Sequence, residues 1–555
     1  MHYDDVFHYI GQFGRYQKFL YLLICMPQIF SAIQTLLSVF ILHVPSHSCI
    51  YGDVTKPIDI PLHLPNMHTT DETKNTTIQH RSKCEFVEKV GNVSNIEYED
   101  IFSNITKSYH CIQWEYDQTY FEMTFAMQKN LVCDRKADTT LAIMLYMAGF
   151  TVGSLLTGIV SDAFGRKKTL MCCIVVITIP NIAMSFVSNF EAFGVLRFIS
   201  GFSVGGLLGS GYVLGVEMVG PEKRIWAGII FEFFWAAGEM LLALLAYFIR
   251  NWKYLNLVVS IPPVLFFSYF WILPESPRWL LVKGRSKEAE EVLQTTARIN
   301  KTEIPDNIFE NHKLETNQTI PIWNVCKHPT LLLETLVIVY DWMMASMVFY
   351  GLGMNSGNLG GSIYLNFFMQ SLAEVFGFAG CIALLHKTGR KPVFIVSIGL
   401  SGLACLATIV PVICLGPEFH WLTLILATIG KIGASSAFAV LFLYSGEIFP
   451  TVIRNTALGI GTFFARAGGM AAPYIVDMVL HIEGEIGKAI PLVIFGVSSV
   501  LAGLFSFYLP ETRNKDLPES IEDWLNYNKE YNSNNKDQTK DFELKEAKLE
   551  MEPFI

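Results

Sequence analysis

Gly158-Ile-Val-Ser-Asp162-Ala-Phe-Gly165-Arg166-Lys167 closes one apolar run of the chain, and His386-Lys387-Thr388-Gly389-Arg390-Lys391 closes another 224 residues later. Two further pairs recur in the same order. Glu217-Met-Val-Gly-Pro-Glu-Lys-Arg224 is echoed by Glu447-Ile-Phe-Pro-Thr-Val-Ile-Arg454 at an offset of 230, and Pro274-Glu275-Ser276 by Pro510-Glu511-Thr512 at an offset of 236. Three motif pairs at nearly one offset imply a duplicated unit. At about 20 apolar residues per membrane crossing, spans fall near 20–42, 139–161, 169–187, 192–216, 225–249 and 254–273. A second set falls near 331–353, 363–385, 392–414, 421–445, 455–480 and 488–509. Each unit therefore holds six helices. Six is even, so the copies share one orientation and form parallel repeats about an axis along the membrane normal.

Composition agrees with an all-α polytopic membrane protein of about twelve transmembrane helices. Of 555 residues, 51% are hydrophobic and 16% charged, against about a quarter charged in soluble domains. Mean hydropathy is +0.36. The 41 Gly and 41 Phe suit apolar helices packed through small residues. A net charge of -9 with no long basic block excludes nucleic acid as a partner. No Walker A pattern points to ATP hydrolysis. No metal-spaced His/Cys cluster or nucleophile–base arrangement points to an enzyme, a metal or a cofactor.

Orientation follows from the short loops. Arg166, Lys167 and Lys168, then Lys223 and Arg224, Lys283, Arg285 and Lys287, and finally Lys387, Arg390 and Lys391 all fall on the side of the N-terminus, which the positive-inside rule makes cytoplasmic. Residues 1–19 are then a cytoplasmic segment, 20–273 the first half, 274–330 a cytoplasmic central loop, 331–509 the second half and 510–555 a cytoplasmic tail. The hydrophilic stretch 43–138 falls outside. It carries Cys49, Cys84, Cys111 and Cys133 and the sequons at Asn75, Asn92 and Asn104. Two disulfides of open connectivity and three glycans are expected there. The terminal Glu552-Pro553-Phe554-Ile555 is a weak candidate for a cytoplasmic scaffold.

The Gly-x-x-x-Asp-x-x-Gly-Arg-Lys element has the character of a gate. Gly158 and Gly165 permit close approach and unusual backbone, while Asp162 and Arg166 offer charges that can pair across the two halves. His386 replaces the Asp in the second copy, which predicts a weaker latch there. Glu217 with Arg224, and Glu447 with Arg454, are the further gating candidates.

These features resemble the major facilitator superfamily over nearly the whole chain. Narrower ones resemble solute carrier family 22, the organic ion transporters: the Cys-bearing sequon-rich loop after span one, Pro274-Glu-Ser-Pro-Arg-Trp-Leu280, Gly446-Glu-Ile-Phe-Pro-Thr-Val-Ile-Arg454 and Ile10-Gly-Gln-Phe-Gly-Arg-Tyr-Gln17. The resemblance implies a plasma-membrane secondary transporter of a small organic ion, working by alternating access. It also implies that Trp235, Phe349, Tyr350, Phe438 and Arg466 line a pocket. Arg466 stands where cation carriers of the family have Asp and where carnitine and anion carriers have Arg. Glu374 matches cation and carnitine carriers, and Leu207 departs from the Gln of the carnitine branch near its sodium site.

Ionisable residues within spans are costly, about 2.5–3.5 kcal/mol each on insertion scales, and so are functional candidates. Glu239, Asp341, Glu374, Lys431 and Arg466 fall near the midplane, with Glu232 two turns toward the cytoplasm. Lys431 and Asp341 could also pair structurally. Trp235 shares a helix face with Glu232 and Glu239; Trp342, Phe349 and Tyr350 lie on span seven and Phe438 on span ten. Ring faces hold organic cations at about 0.5–2 kcal/mol each. Four carboxylates against two cations favour an organic cation or a carnitine- or betaine-like zwitterion. An organic anion exchanger and a non-transporting sensor of the same fold are the alternatives. Gly201, Gly205 and Gly209 form a small-residue stripe suited to helix contact.

Overall fold

The computed structural model describes residues 3–49, 57–58, 76–81, 84–91, 106–111, 113–305, 327–415, 417–481, 485–513 and 524. Asn75, Asn92, Asn104 and the terminal Glu552–Ile555 lie outside these. Eleven helices among the described residues are long and apolar enough to cross a membrane. The first half contributes α1 (Arg15–Leu36), α2 (Ala137–Phe164), α3 (Arg166–Met184), α4 (Phe190–Glu217), α5 (Arg224–Phe248) and α6 (Trp252–Ile272). The second contributes α7 (Pro329–Met354), α8 (Ile363–Thr388), α9 (Arg390–Ala407), α10 (His420–Ile448), α11 (Thr451–His481) and α12 (Glu485–Ser506). The helix outside the eleven is α11. It is 31 residues long and carries Arg454, Arg466 and Asp477, which lower its hydropathy, yet it packs between α2 and α7 as a span would.

Local chemistry sets the helix ends. Asn189 and Asn251 cap α4 and α6 by accepting from the amides of Glu191 and Lys253. Pro262 and Pro263 turn the middle of α6 into a 3-10 stretch, because proline lacks the amide that an α-helical ladder needs. Around the circumference, Ile159, Phe186, Phe248, Leu265, Phe270 and Trp271 are exposed, as side chains that face lipid must be. The two halves meet where α2 packs on α11 and α5 on α8.

The membrane part is all-α, but residues 47–116 add strands that a span-by-span hydropathy reading does not register. β1 (His47–Cys49) pairs with β6 (Trp114–Tyr116). β2 (Pro57–Ile58), β5 (Thr106–His110), β4 (Glu85–Gly91) and β3 (Thr76–Arg81) form an antiparallel sheet in that order. The open cysteine pairing is resolved as Cys49–Cys111 and Cys84–Cys133, the second tying the sheet to the start of α2. Two faces can then be distinguished: the loop face, with this insertion, and the basic face, with Arg166, Arg224 and Arg390.

Candidate functional site

The basic face holds two matching clusters, one in each half. Arg166 lies 3.3 Å from Glu217 and 2.9 Å from Asp162. Ser276 Oγ donates to Glu217 at 2.5 Å, and the Glu275 carboxylate accepts from the amides of Arg166 and Lys167 at 2.9 and 3.0 Å. In the second half Arg390 lies 2.8 Å from Glu447, Thr512 Oγ1 donates to Glu447 at 2.5 Å, and Glu511 accepts from the amides of Arg390 and Lys391. The turns are made by Gly165 and Gly389, at φ of +114 and +107°, where an L side chain would be strained. A Cβ on Gly165 would also come 2.3 Å from Glu275 Oε2. In each cluster one carboxylate, Glu275 or Glu511, thus sits on helix-start amides and the other, Glu217 or Glu447, beside an Arg side chain, both places where anions are stabilised.

Three expectations need correction here. The charges pair within each half, not across the two halves, because the Arg and its Glu belong to loops of the same six-helix unit. Of the further gating candidates, Glu217 and Glu447 join the clusters and Arg224 and Arg454 do not: Arg224 bonds Asp4 of the N-terminal segment at 2.5 Å, and Arg454 donates to the Phe449 carbonyl. The second copy keeps the Arg–Glu pair and, among the described residues, has no counterpart of the Asp162–Arg166 pair, in line with the asymmetry expected from His386 in place of the Asp. Gly158 has open space where its Cβ would be, so it makes no close approach.

Between the halves, at the basic-face end, lies a cavity of about 530 Å³ lined by Tyr212, Gly228, Glu232, Ala439, Phe442 and Leu443 from the bundle and by Arg224, Arg390, Glu447, Arg454 and Thr512 at its mouth. Glu232, eight residues into α5, sits roughly 12 Å inside at 1.5 Å per residue. The opposite end is shut by rings: Phe40 stacks on Tyr364 at 5.7 Å and meets Phe367 at 5.1 Å, and Tyr364 Oη donates to the Tyr120 carbonyl of the insertion. The conformation is closed on the loop face.

Of the nine expected substrate residues, Glu232 lines this cavity. The others form a connected layer beyond its inner end. Trp235 stands 6.4 Å from Tyr350, Tyr350 5.3 Å from Phe349, Phe349 5.6 Å from Phe438, and Phe438 5.7 Å from Trp342. Trp342 in turn meets the cavity residue Phe442 at 4.5 Å and donates from Nε1 to Ser445 Oγ at 3.0 Å. Trp235 Nε1 donates to Glu239 at 2.7 Å, and Ser371 Oγ donates to the other Glu239 oxygen at 3.3 Å.

The midplane charges are sorted by their neighbours. Lys431 Nζ lies 2.8 Å from Glu374 Oε1, donates to the Phe349 carbonyl at 2.8 Å and sits 3.6 Å from that ring's centre, with both charged side chains fully buried. Asp341 is bonded by Ser506 of α12 at 2.7 Å; the suggested Lys431–Asp341 pair does not form, because Asp341 faces the far side of α7. Arg466 Nη1 donates to Tyr350 Oη at 3.1 Å with its guanidinium 3.9 Å from the Phe150 ring centre, and its Nε has no partner. Glu232 and Arg466 are close enough to act on each other electrostatically.

Sequence reasoning missed Tyr212, Ala439, Phe442, Leu443 and Phe150. Three of them had a signal: Ala439, Phe442 and Leu443 follow Phe438 with the spacing of one helix face. Only packing shows that this face meets the cavity.

The comparisons agree with this geometry. Residues 100–524 match the family model "Sugar (and other) transporter". An organic cation transporter protein of Drosophila melanogaster is 34% identical over 551 residues, covering 95% of both chains. A beta-alanine transporter of the same species is 30% identical, covering 94% of this chain and 89% of its own. Among solved structures, the proton:xylose symporter XylE superposes with a TM-score of 0.56 at 21% identity, over 71% of this chain and 91% of its own, which shows the fold. With the duplicated clusters and the cavity between two six-helix halves, these matches place the chain in the major facilitator superfamily, as a membrane transporter of solute carrier family 22.

Proposed function

We propose that this protein is a plasma-membrane secondary transporter of zwitterions and organic cations, with the basic face in the cytoplasm and alternating access between the two halves. The observation that carries the substrate class is Glu232. It reaches the cavity, while Glu374 is matched by Lys431, Glu239 is held by Trp235 and Ser371, and Asp341 faces α12. Past the arginines and Glu447 of the mouth, a substrate therefore meets the Glu232 carboxylate and then an aromatic layer suited to an ammonium group. Arg466 has an unbonded N–H edge within electrostatic reach of Glu232, so a molecule with a cation at one end and a carboxylate at the other can engage both. Similarity to a beta-alanine transporter supports such a two-ended solute. The gathering of basic loops on one face supports the orientation, and the two disulfides suit the oxidising outside.

The test is counterflow in reconstituted vesicles with a quaternary ammonium ion, a betaine-like zwitterion and a dicarboxylate. Glu232→Gln is expected to lower uptake of the first two about tenfold or more, as the loss of a charge-assisted contact worth about 1.5–3 kcal/mol implies. Arg466→Ala is expected to lower zwitterion uptake and spare the cation. Transport of the dicarboxylate alone, lost in Arg466→Ala and kept in Glu232→Gln, would replace this reading with anion exchange.

A further inference from the structure

One buried charge in the first half is used by neither the gate nor the cavity. Arg197, seven residues into α4 from the loop face, is fully buried. Its guanidinium lies over the Tyr146 ring at 4.5 Å, and Nη1 makes one long bond, 3.4 Å, to the Gln34 carbonyl. Nε and Nη2 have no partner. Among the described residues no carboxylate comes within ion-pair distance of it, whereas Arg166, Arg224, Arg390 and Lys431 each have one. The groups around it are neutral: Thr35 Oγ1 and Tyr146 Oη share a 2.9 Å bond, and Gln34 Nε2 donates to Ser260 while Gln34 Oε1 has no partner.

An arginine does not shed its proton to escape burial, and an unmatched ion inside a protein is strongly unfavourable. None of the described residues supplies that counter-charge, and a small ion from solution can. One cation among neutral donors suits a single negative charge. Nearby, Ser38, one turn beyond Gln34 and just past the end of α1, is buried with its Oγ unpartnered and lines a second cavity of about 130 Å³ toward the loop face. That cavity has room for several waters at about 30 Å³ each. Its carboxylate, Asp477, belongs to α11 of the other half. The substrate cavity lies at the opposite end.

We propose that Arg197, with Tyr146 and the α1 groups Gln34 and Thr35, forms a binding site for a small monovalent anion, of which chloride is the abundant physiological example, and that this anion is bound while the loop face is closed. The proposal stands apart from the substrate reading, and its test does not rely on transport. The thermal unfolding midpoint of the purified full-length protein is measured in sodium chloride and in sodium gluconate at equal ionic strength. A ligand that binds only the folded state raises that midpoint by mass action, so the wild type is expected to melt several degrees higher in chloride. Arg197→Gln should lose the difference. Gln34→Glu, which supplies a carboxylate from the chain itself, should fold and also lose it, and this variant keeps the test intact if Arg197→Gln does not fold. Equal wild-type midpoints in the two salts, or an undiminished chloride shift in Gln34→Glu, would overturn the proposal.

Discussion

Removing one member of the Lys431–Glu374 pair should be far worse than removing both. The two side chains are fully buried and 2.8 Å apart, and Lys431 also donates to the Phe349 carbonyl. Breaking a buried pair by deleting one partner typically costs about 3–5 kcal/mol, because the other charge is left in a low-dielectric interior; replacing both with neutral groups of similar size is often nearly neutral. Lys431→Met and Glu374→Gln are each expected to destabilise by about that amount. The double variant is expected to cost about 1–2 kcal/mol, since the Phe349 carbonyl loses its donor in either case. The interaction energy of the cycle is then several kcal/mol, well above the few tenths expected of independent sites. Thermal midpoints of the four proteins in one detergent measure it. Additive effects, with the double variant no better than the sum of the singles, would falsify the assignment of Glu374 to Lys431 and return it to the substrate. This outcome also separates two explanations of weakened uptake in Glu374→Gln, since a structural carboxylate lowers stability with activity while a substrate ligand lowers activity alone.

At the basic face, Glu217→Gln should impair surface expression and uptake more than Asp162→Asn. Glu217 is largely buried between Arg166 and Ser276, whereas the Asp162 side chain is 76% exposed, where an ion pair is worth about 0–1 kcal/mol; equal losses at matched surface amounts would contradict this. At the other face, burial pushes the His43 imidazole down to about 4 from its ordinary 6.5. Its contribution is therefore present above pH 6.5 and lost as pH falls toward 4, about 2 kcal/mol by pH 5. Acid on that face should loosen the closed end, seen as faster labelling of a cysteine placed at Thr140, and His43→Gln should flatten that pH profile. Between α2 and α4, Gly153→Val should not yield folded protein, because a Cβ there would lie 2.0 Å from the Phe202 carbonyl; a wild-type melting midpoint would show that the helices can separate.

Periodicity and charge placement in the chain specify the architecture by themselves. A span needs about 20 apolar residues whatever surrounds it, and the loops' basic residues set orientation one by one, so both are local properties of the chain. The duplicated motifs were legible for the same reason, as were the residue types around the midplane. Partnership was not legible. Lys431 had Asp341 and Glu374 at similar depths, and only the rotation of α7, α8 and α10 against one another decided that Glu374 faces it while Asp341 faces Ser506. The gate charges had partners available within and across the halves, and packing put Arg166 on Glu217 and Arg390 on Glu447. Four cysteines allowed three pairings until the strands set Cys49 beside Cys111. The midplane carboxylates are chemically alike in the sequence. Tertiary packing left Glu232 facing the cavity and matched or turned away the rest, because whether a buried charge can meet a substrate depends on what already touches it, and that is a contact between segments far apart in the chain.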